Sequence, residues 1–216
     1  VYQDTDYGHE IYEAAIDQGA EMNIEVVATA AHKPTETEFT ATVLRLRNAG
    51  CDVVFMGTVY RDTVLILEAA RKMGWDGVSF VGNDVTYGDV VAQLQSGASE
   101  GFSAFGHIAE LYRDDDLSDE VAAWYDLYVE RFGEKPVVAV IEGYRGADIF
   151  ITALERAGKD LTHDSLITAM ESITDYEDMF GYKLSFGPND HKGVSESILS
   201  VVENGRWVTK AESVSY

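Results

Sequence analysis

Cysteine and basic residues are scarce in this sequence, and long apolar runs are absent. One cysteine, Cys51, stands among 216 residues, so no disulfide can close within the chain and no cysteine-based zinc site can form. Its setting, Ala49-Gly50-Cys51-Asp52-Val53, lies between a helical stretch and an apolar strand and reads as a buried, inert thiol. No stretch approaches the ~18–20 apolar residues that a membrane-spanning helix needs. No basic-then-apolar leader opens the chain. The opening Val1-Tyr2-Gln3-Asp4 reads as the end of a strand, which places further residues, an export signal among them, ahead of it in a longer protein.

Basic residues number 16 against 38 acidic ones, a net charge of −22. A surface this acidic repels phosphate backbones and anionic lipid, which excludes nucleic acid as a partner and accounts for solubility. The glycine-rich phosphate and dinucleotide loops and the Gly-x-Ser-x-Gly elbow are absent too. His-Glu-x-x-His does not occur. The five histidines (His9, His32, His107, His163 and His191) are scattered and read as surface or helix-end residues; His9 alone lies near a candidate binding loop. Asp114-Asp115-Asp116 lacks the alternation and the fixed glycine of a calcium loop and reads as a solvated connector. Neither a metal nor a cofactor is expected.

The remaining composition, 46% hydrophobic and 25% charged, is that of a folded globular protein. The length suits one domain with part of a second. In the first half, short β-rich runs alternate with helical periodicity. The strands are Val1–Tyr2, Ile24 to Ala28, Asp52 to Met56, Val78 to Val81 and Gly101 to Ile108. The helices between them begin near Gly8, after Thr35–Glu38 with its capping-box spacing, and at Asp62 as a candidate cap. This order predicts an α/β fold with a parallel sheet, its apolar strands covered by helices on both faces. Beyond Glu110 the pattern changes. Helices are predicted over Asp119 to Phe132, Val138 to Ala157 and about Ser165 to Ser172, the last capped by Asp164. Strands Tyr182 to Phe186 and Ser197 to Glu203 follow, and Asn204-Gly205 signals a hairpin into Arg206-Trp207-Val208. These later helices need an apolar surface that the first-half sheet, already covered by its own helices, does not offer.

In open parallel sheets, ligands bind beyond the carboxyl ends of the strands. Three loops there hold Tyr7, Tyr60 and Asp84. A carboxylate with two phenols can grip a cationic amine by charge-assisted hydrogen bonds and ring-face contact. The duller roles are a helix cap for Asp84 and core packing for Tyr7.

Tyr2-Gln3-Asp4-Thr5-Asp6-Tyr7-Gly8, Phe39 to Leu46, Asp52 to Gly57, Leu67 to Gly74, Gly82-Asn83-Asp84, Ala153 to Gly158 and Phe186 to His191 occur in the order and spacing of a known family. The chain resembles the type I periplasmic solute-binding proteins of ABC transporters, of the leucine/branched-chain amino-acid kind. No single motif is diagnostic; their succession is, over nearly the whole chain. The resemblance implies two Rossmann-like α/β lobes closing on a ligand. Residues 1–110 would form the second lobe, 111–175 would be helices of the first, and 176–216 would be the return through the hinge and the late strands. The first lobe's sheet would lie ahead of Val1. It also implies that Asp84 holds a ligand ammonium and that Tyr7 and Tyr60 contact the ligand, with Val59 the alternative match to the family's aromatic. Ala139 stands where some relatives place a pocket aromatic. The implied role is capture of an amino acid or similar small solute, with an ABC permease as partner, in the periplasm, as a monomer and without catalysis. A ligand-sensing regulator of the same fold and an α/β enzyme are the alternatives, the latter lacking a nucleophile–base pair or cofactor loop.

Overall fold

Short apolar runs bounded by glycine, alternating with helical periodicity, become strands and helices in a computed structural model that describes residues 1–215. In chain order the elements are β1 (Tyr2–Gln3), α1 (Asp6–Glu21), β2 (Ala31–His32), α2 (Thr40–Asn48), β3 (Val53–Met56), α3 (Tyr60–Lys72), β4 (Ser79–Gly82), a 3-10 turn (Asp84–Thr86), α4 (Asp89–Ala92), β5 (Ser103–Gly106), α5 (Asp119–Phe132), α6 (Val138–Ala157), α7 (His163–Glu171), β6 (Tyr176–Glu177), β7 (Lys183–Leu184), β8 (Glu196–Glu203) and β9 (Arg206–Ser215). They fall into two units. Unit 1 comprises Val1–His107 with Ser197–Val214, and unit 2 comprises Ile108–Glu196.

Unit 1 is built on a five-stranded sheet of order β3-β4-β5-β8-β9. β3, β4 and β5 run parallel, from Val53↔Ser79 across to Gly82↔Ala104. β8 joins antiparallel to β5, from Ser103↔Val201 to Gly106↔Ile198, so the sheet is mixed and not wholly parallel. Asn204 and Gly205 both have positive φ, 54° and 75°, the primed turn that suits the twist of a two-residue hairpin between β8 and β9. A parallel pair, β1 with β2, attaches to the end of β3 through a Tyr2↔Gly57 bridge.

Thr5 caps α1 by accepting the Gly8 amide at 3.3 Å. Gly8 is obligatory there, because a Cβ would lie 1.9 Å from the Gln3 carbonyl oxygen. Several sequence expectations shift. Ile24 to Ala28 forms no strand; β2, which pairs with β1 on that side, comprises only Ala31 and His32 further on. α2 starts at Thr40, whose amide is received by Glu38 at 2.8 Å, and not from a capping box at Thr35. α3 starts at Tyr60, which puts Asp62 inside the first turn instead of at the cap. β3 is covered on one face only: Val54 and Met56 are buried, whereas Val53 is 58% and Phe55 37% exposed. Cys51 is half-buried.

In unit 2, α5 and α6 have the predicted boundaries. Ser118 caps α5 and Gly133, at φ 78°, ends it in the left-handed conformation that glycine adopts most easily. α7 is capped by Thr162 in a box with Ser165, and Asp164 lies in its first turn. The apolar centre is Ala153, Ala169, Ile173 and Leu184, with Ile149, Leu166 and Met170 against it. Beside it lies a buried ion pair, Arg145 Nε to Asp178 Oδ2 at 2.5 Å. Asp178 Oδ1 also receives the amides of Phe180 and Tyr182, at 3.0 and 2.9 Å. A cavity of about 270 Å³ is lined by Ile108, Leu111, Leu117, Val121, Phe180 and Tyr182, among others.

Candidate functional site

Parallel pairing carries β1, β3 and β4 to a common carboxyl edge in unit 1. Tyr7 stands in the first turn of α1, Tyr60 opens α3 and Asp84 opens the 3-10 turn after β4. Each was predicted to follow a strand end, and each does.

The joints between these loops are polar and buried. Asn83 donates from Nδ2 to the carbonyls of Met56 at 3.1 Å and Thr58 at 3.4 Å. The Tyr7 hydroxyl donates to the same Thr58 carbonyl at 3.4 Å. Thr58 is itself pinned by a 2.7 Å hydroxyl contact with Thr63, and Thr86 donates to the Asn83 carbonyl at 2.6 Å. One carbonyl at the end of β3 thus ties the loop that bears Tyr7 to the loop that bears Asp84. Sequence reading missed Asn83. Its only signal was its place beside Asp84, because a buried asparagine and an exposed turn asparagine look alike in sequence.

Burial, and after it the negative charge of Asp84, push the Tyr7 phenol up to about 12, while a hydrogen bond with Asn83 pulls the other way. Tyr7 is therefore a neutral donor at any physiological pH. The Asp84 carboxylate is exposed and accepts its neighbour's amide, Val85, at 2.9 Å. Among the described residues no cationic side chain pairs with it. Tyr60 is 40% exposed, and its ring lies over Gly88, where an added Cβ would come within 2.9 Å of Cε1. Tyr7 and Asp84 are thus brought together electrostatically, and Tyr60 sits against the far end of the loop that follows Asp84.

A second polar cluster underlies the same edge. Asp62 is fully buried and accepts from Gln3 Nε2 and Arg61 Nε, each at 2.9 Å. His32 is not at the surface as the sequence suggested. It is 6% exposed, donates from Nδ1 to the Lys33 carbonyl at 3.1 Å and turns Nε2 toward Asp62 at 3.9 Å. This cluster uses up the guanidinium of Arg61, so that cation is held by Asp62 and not by Asp84. His9 pairs instead with Asp4 at 2.9 Å. Among the described residues no group of three or more His, Cys, Asp or Glu side chains is arranged to hold a metal, and no helix is long and apolar enough to cross a membrane.

The sequence profile of the periplasmic binding protein family matches residues 1–206. The chain belongs to that family. Among curated relatives, Leu/Ile/Val-binding protein homolog 8 of Brucella abortus (strain 2308) is 23% identical over 222 residues, an alignment covering 97% of this chain and 53% of the relative. This periplasmic binding protein chain thus spans about half the length of the curated relatives it matches. A branched-chain amino acid ABC transporter protein from Thermus thermophilus, solved with bound valine, superposes with a TM-score of 0.84 at 19% identity, covering 100% of this chain and 59% of that one. A solute-binding protein from R. palustris in complex with benzoate gives 0.80 at 18% identity, covering 100% and 58%. These likenesses give the type I periplasmic binding protein fold. The family and these neighbours are solute-binding proteins, not enzymes.

Proposed function

We propose that this chain is the greater part of one lobe, with part of the other, of a periplasmic substrate-binding protein that delivers a small amino-bearing solute to an ABC permease. An amino acid of the branched-chain type is the ligand we favour. The observation that carries this reading is Asp84, an exposed carboxylate beside the neutral Tyr7 donor, with no cation of the described residues on it. A site of that charge stabilises an ammonium and disfavours a lone carboxylate. Of the two neighbouring ligands, valine carries the matching group and benzoate does not. Tyr7, Tyr60 and Asp84 are the residues we assign to ligand contact, Asp84 to the ammonium and the phenols to its flanks.

Unit 2 supports the lobe assignment. α6 carries Ala139, Gly143, Ala147, Phe150 and Ile151 exposed along one side, with small residues where a neighbour would approach closely. That stripe suits a covering sheet from elsewhere in a longer protein, which supports reading 111–175 as helices of the first lobe; 176–216 we read as the hinge return and the late strands, β8 and β9, that join the sheet of unit 1. The ligand would then be held from both lobes, and closure would be a population shift driven by contacts made only in the closed form. Function as a monomer in the periplasm belongs to the same reading.

The test is calorimetry on the longer protein that contains both lobes. L-valine is expected to bind and benzoate not to. Asp84→Ala should weaken L-valine binding by about 2 kcal/mol or more, since it leaves a buried ammonium unpaired. Unchanged L-valine affinity in that variant, or benzoate binding by the wild type, would overturn the assignment.

A further inference from the structure

The three loops that carry Tyr7, Tyr60 and Asp84 span residues 4–8, 57–61 and 82–87, and Arg61 is the one lysine or arginine in them. It follows Tyr60 in the first turn of α3. A loose guanidinium at that place would offset the charge of Asp84 and favour an anionic ligand. It is not loose. Nε donates to Asp62 Oδ1 at 2.9 Å, Nη2 donates to the same oxygen, and Nη2 donates also to the Pro34 carbonyl. Pro34 follows β2, whereas Asp84 follows β4. The parallel pairings place those two strands on opposite sides of β1 and β3. The guanidinium is thus drawn to the side of the edge away from Asp84.

This pairing is not the default of a helix, on which adjacent residues do not face each other. Arg61 folds back to reach a carboxylate that is fully buried, and its own side chain stays 48% exposed. Gln3 Nε2 donates to Asp62 Oδ2 at 2.9 Å, but an amide needs only an acceptor, and an asparagine oxygen would serve it as well. His32 Nε2, at 3.9 Å, is beyond hydrogen-bonding distance. A buried carboxylate is costly unless a cation meets it. Among the described residues Arg61 is the lysine or arginine that does so. The negative charge of Asp62 is therefore matched to one group, the cation of the site's own loops.

We propose that Asp62 is a specificity-determining residue of this site: by holding Arg61 away from the rim it keeps the edge around Asp84 anionic, and so selects an ammonium over a lone carboxylate without touching the ligand. The inference rests on Asp84 as the ammonium contact and adds what protects that charge. Without the buried carboxylate, Arg61 is free to turn toward Tyr60 and the rim. Screening at physiological salt acts over about 8 Å, so a cation one residue from a ligand contact still acts on the site.

Calorimetry on the longer protein that contains both lobes compares Asp62→Asn with the neutral pair Arg61→Gln/Asp62→Asn. Asp62→Asn is expected to weaken L-valine binding about tenfold or more. The neutral pair, which has no cation to release, should return to within about threefold of wild type. A residue that only shaped the loops would leave both variants equally weak, and that result, or wild-type affinity in both, would overturn the proposal. Asp84→Ala, measured beside them, separates the two readings. If it weakens L-valine binding and Asp62→Asn does not, the role of Asp62 fails and the ligand site stands; if it changes nothing, the ligand site fails first. A second measurement needs no ligand. In the 216-residue chain the Tyr7 phenol, isolated by its absorbance difference from the matching Tyr7→Phe variant, should ionise at lower pH in Asp62→Asn than in wild type and recover in the neutral pair. A phenol that does not move overturns the proposal whatever the ligand is. If Asp62→Asn does not fold, Arg61→Lys takes its place. It keeps Asp62 with Gln3 but loses the guanidinium fork, and should weaken L-valine binding about threefold. Undiminished affinity there overturns the proposal too.

Discussion

In unit 2 the Asp178 carboxylate meets Arg145 at 2.5 Å and two backbone amides besides, and Glu110 meets Lys135 at 3.0 Å. Even on its surface, Arg113 and Asp126 pair at 2.7 Å, and Tyr176 donates its hydroxyl to Asp148. At the strand ends of unit 1 the buried Asp62 is neutralised in the same manner by Arg61, but Asp84, two loops away, is left to the solvent beside a phenol. With more than twice as many acidic as basic residues, the chain cannot pair every carboxylate, so the choice of which stays open carries information. A carboxylate buried with its cation is committed to the fold. One held at a rim by its neighbour's amide, as Asp84 is, keeps its charge open to the solvent.

Removing a committed partner should have the largest effect. Arg145→Leu strands the buried Asp178 and is expected to destabilise unit 2 by about 3–5 kcal/mol in urea unfolding, whereas Arg145→Leu with Asp178→Asn should recover much of that loss. If the single variant is as stable as the wild type, the contrast between the units fails. Next is the cap of α7: Thr162→Ala removes one side of its capping box and should cost about 1 kcal/mol, read as a lower urea midpoint at unchanged slope.

The phenols sharpen the contrast at high pH. Tyr7 and Tyr176 both stand at about 12 against an ordinary 10, each raised first by burial and then by a nearby aspartate. The folded state therefore holds protons that the unfolded state releases between those values. The stability this represents is complete below pH 10 and is lost as pH rises through about 12. Tyr7→Phe and Tyr176→Phe should each flatten part of that alkaline slope, measured as unfolding free energy against pH. An unchanged slope in Tyr7→Phe would show that the fold does not hold the Tyr7 proton. The smallest effect on stability is expected at the site itself. Asp84→Asn should leave unfolding within about 0.5 kcal/mol of wild type, as for other exposed substitutions. A large loss would make Asp84 a structural residue and remove the main support for ligand binding there.

Much of the fold was legible because local signals agreed with it. Ser118 and Gly133 bracket α5, Gly158 follows α6, and Asn204-Gly205 makes the turn that its type requires. Tyr7, Tyr60 and Asp84 were legible as strand-end residues because parallel α/β order sends every such loop to one edge. Asp62 and His32 were misread for one shared reason. Asp62 reads as a cap and His32 as a surface residue until β1 brings Gln3, and β2 brings His32, to the buried carboxylate, and nothing local records that meeting. The run Ile24 to Ala28 was misread for the opposite reason. Its propensity is genuine, but a strand exists only where a partner supplies the other half of each hydrogen bond.

Local chemistry, then, determined most of the succession of strands and helices, the bounds of α5 and α6, the hairpin turn and the acidic surface. Periodicity and turn preference act over a few residues and survive without neighbours. The tertiary structure decided which buried carboxylates meet a distant cation, that Asn83 and Tyr7 meet on one carbonyl and that β8 enters antiparallel. Each of those depends on groups far apart in the chain meeting at hydrogen-bonding distance, and the sequence of either partner does not contain the other.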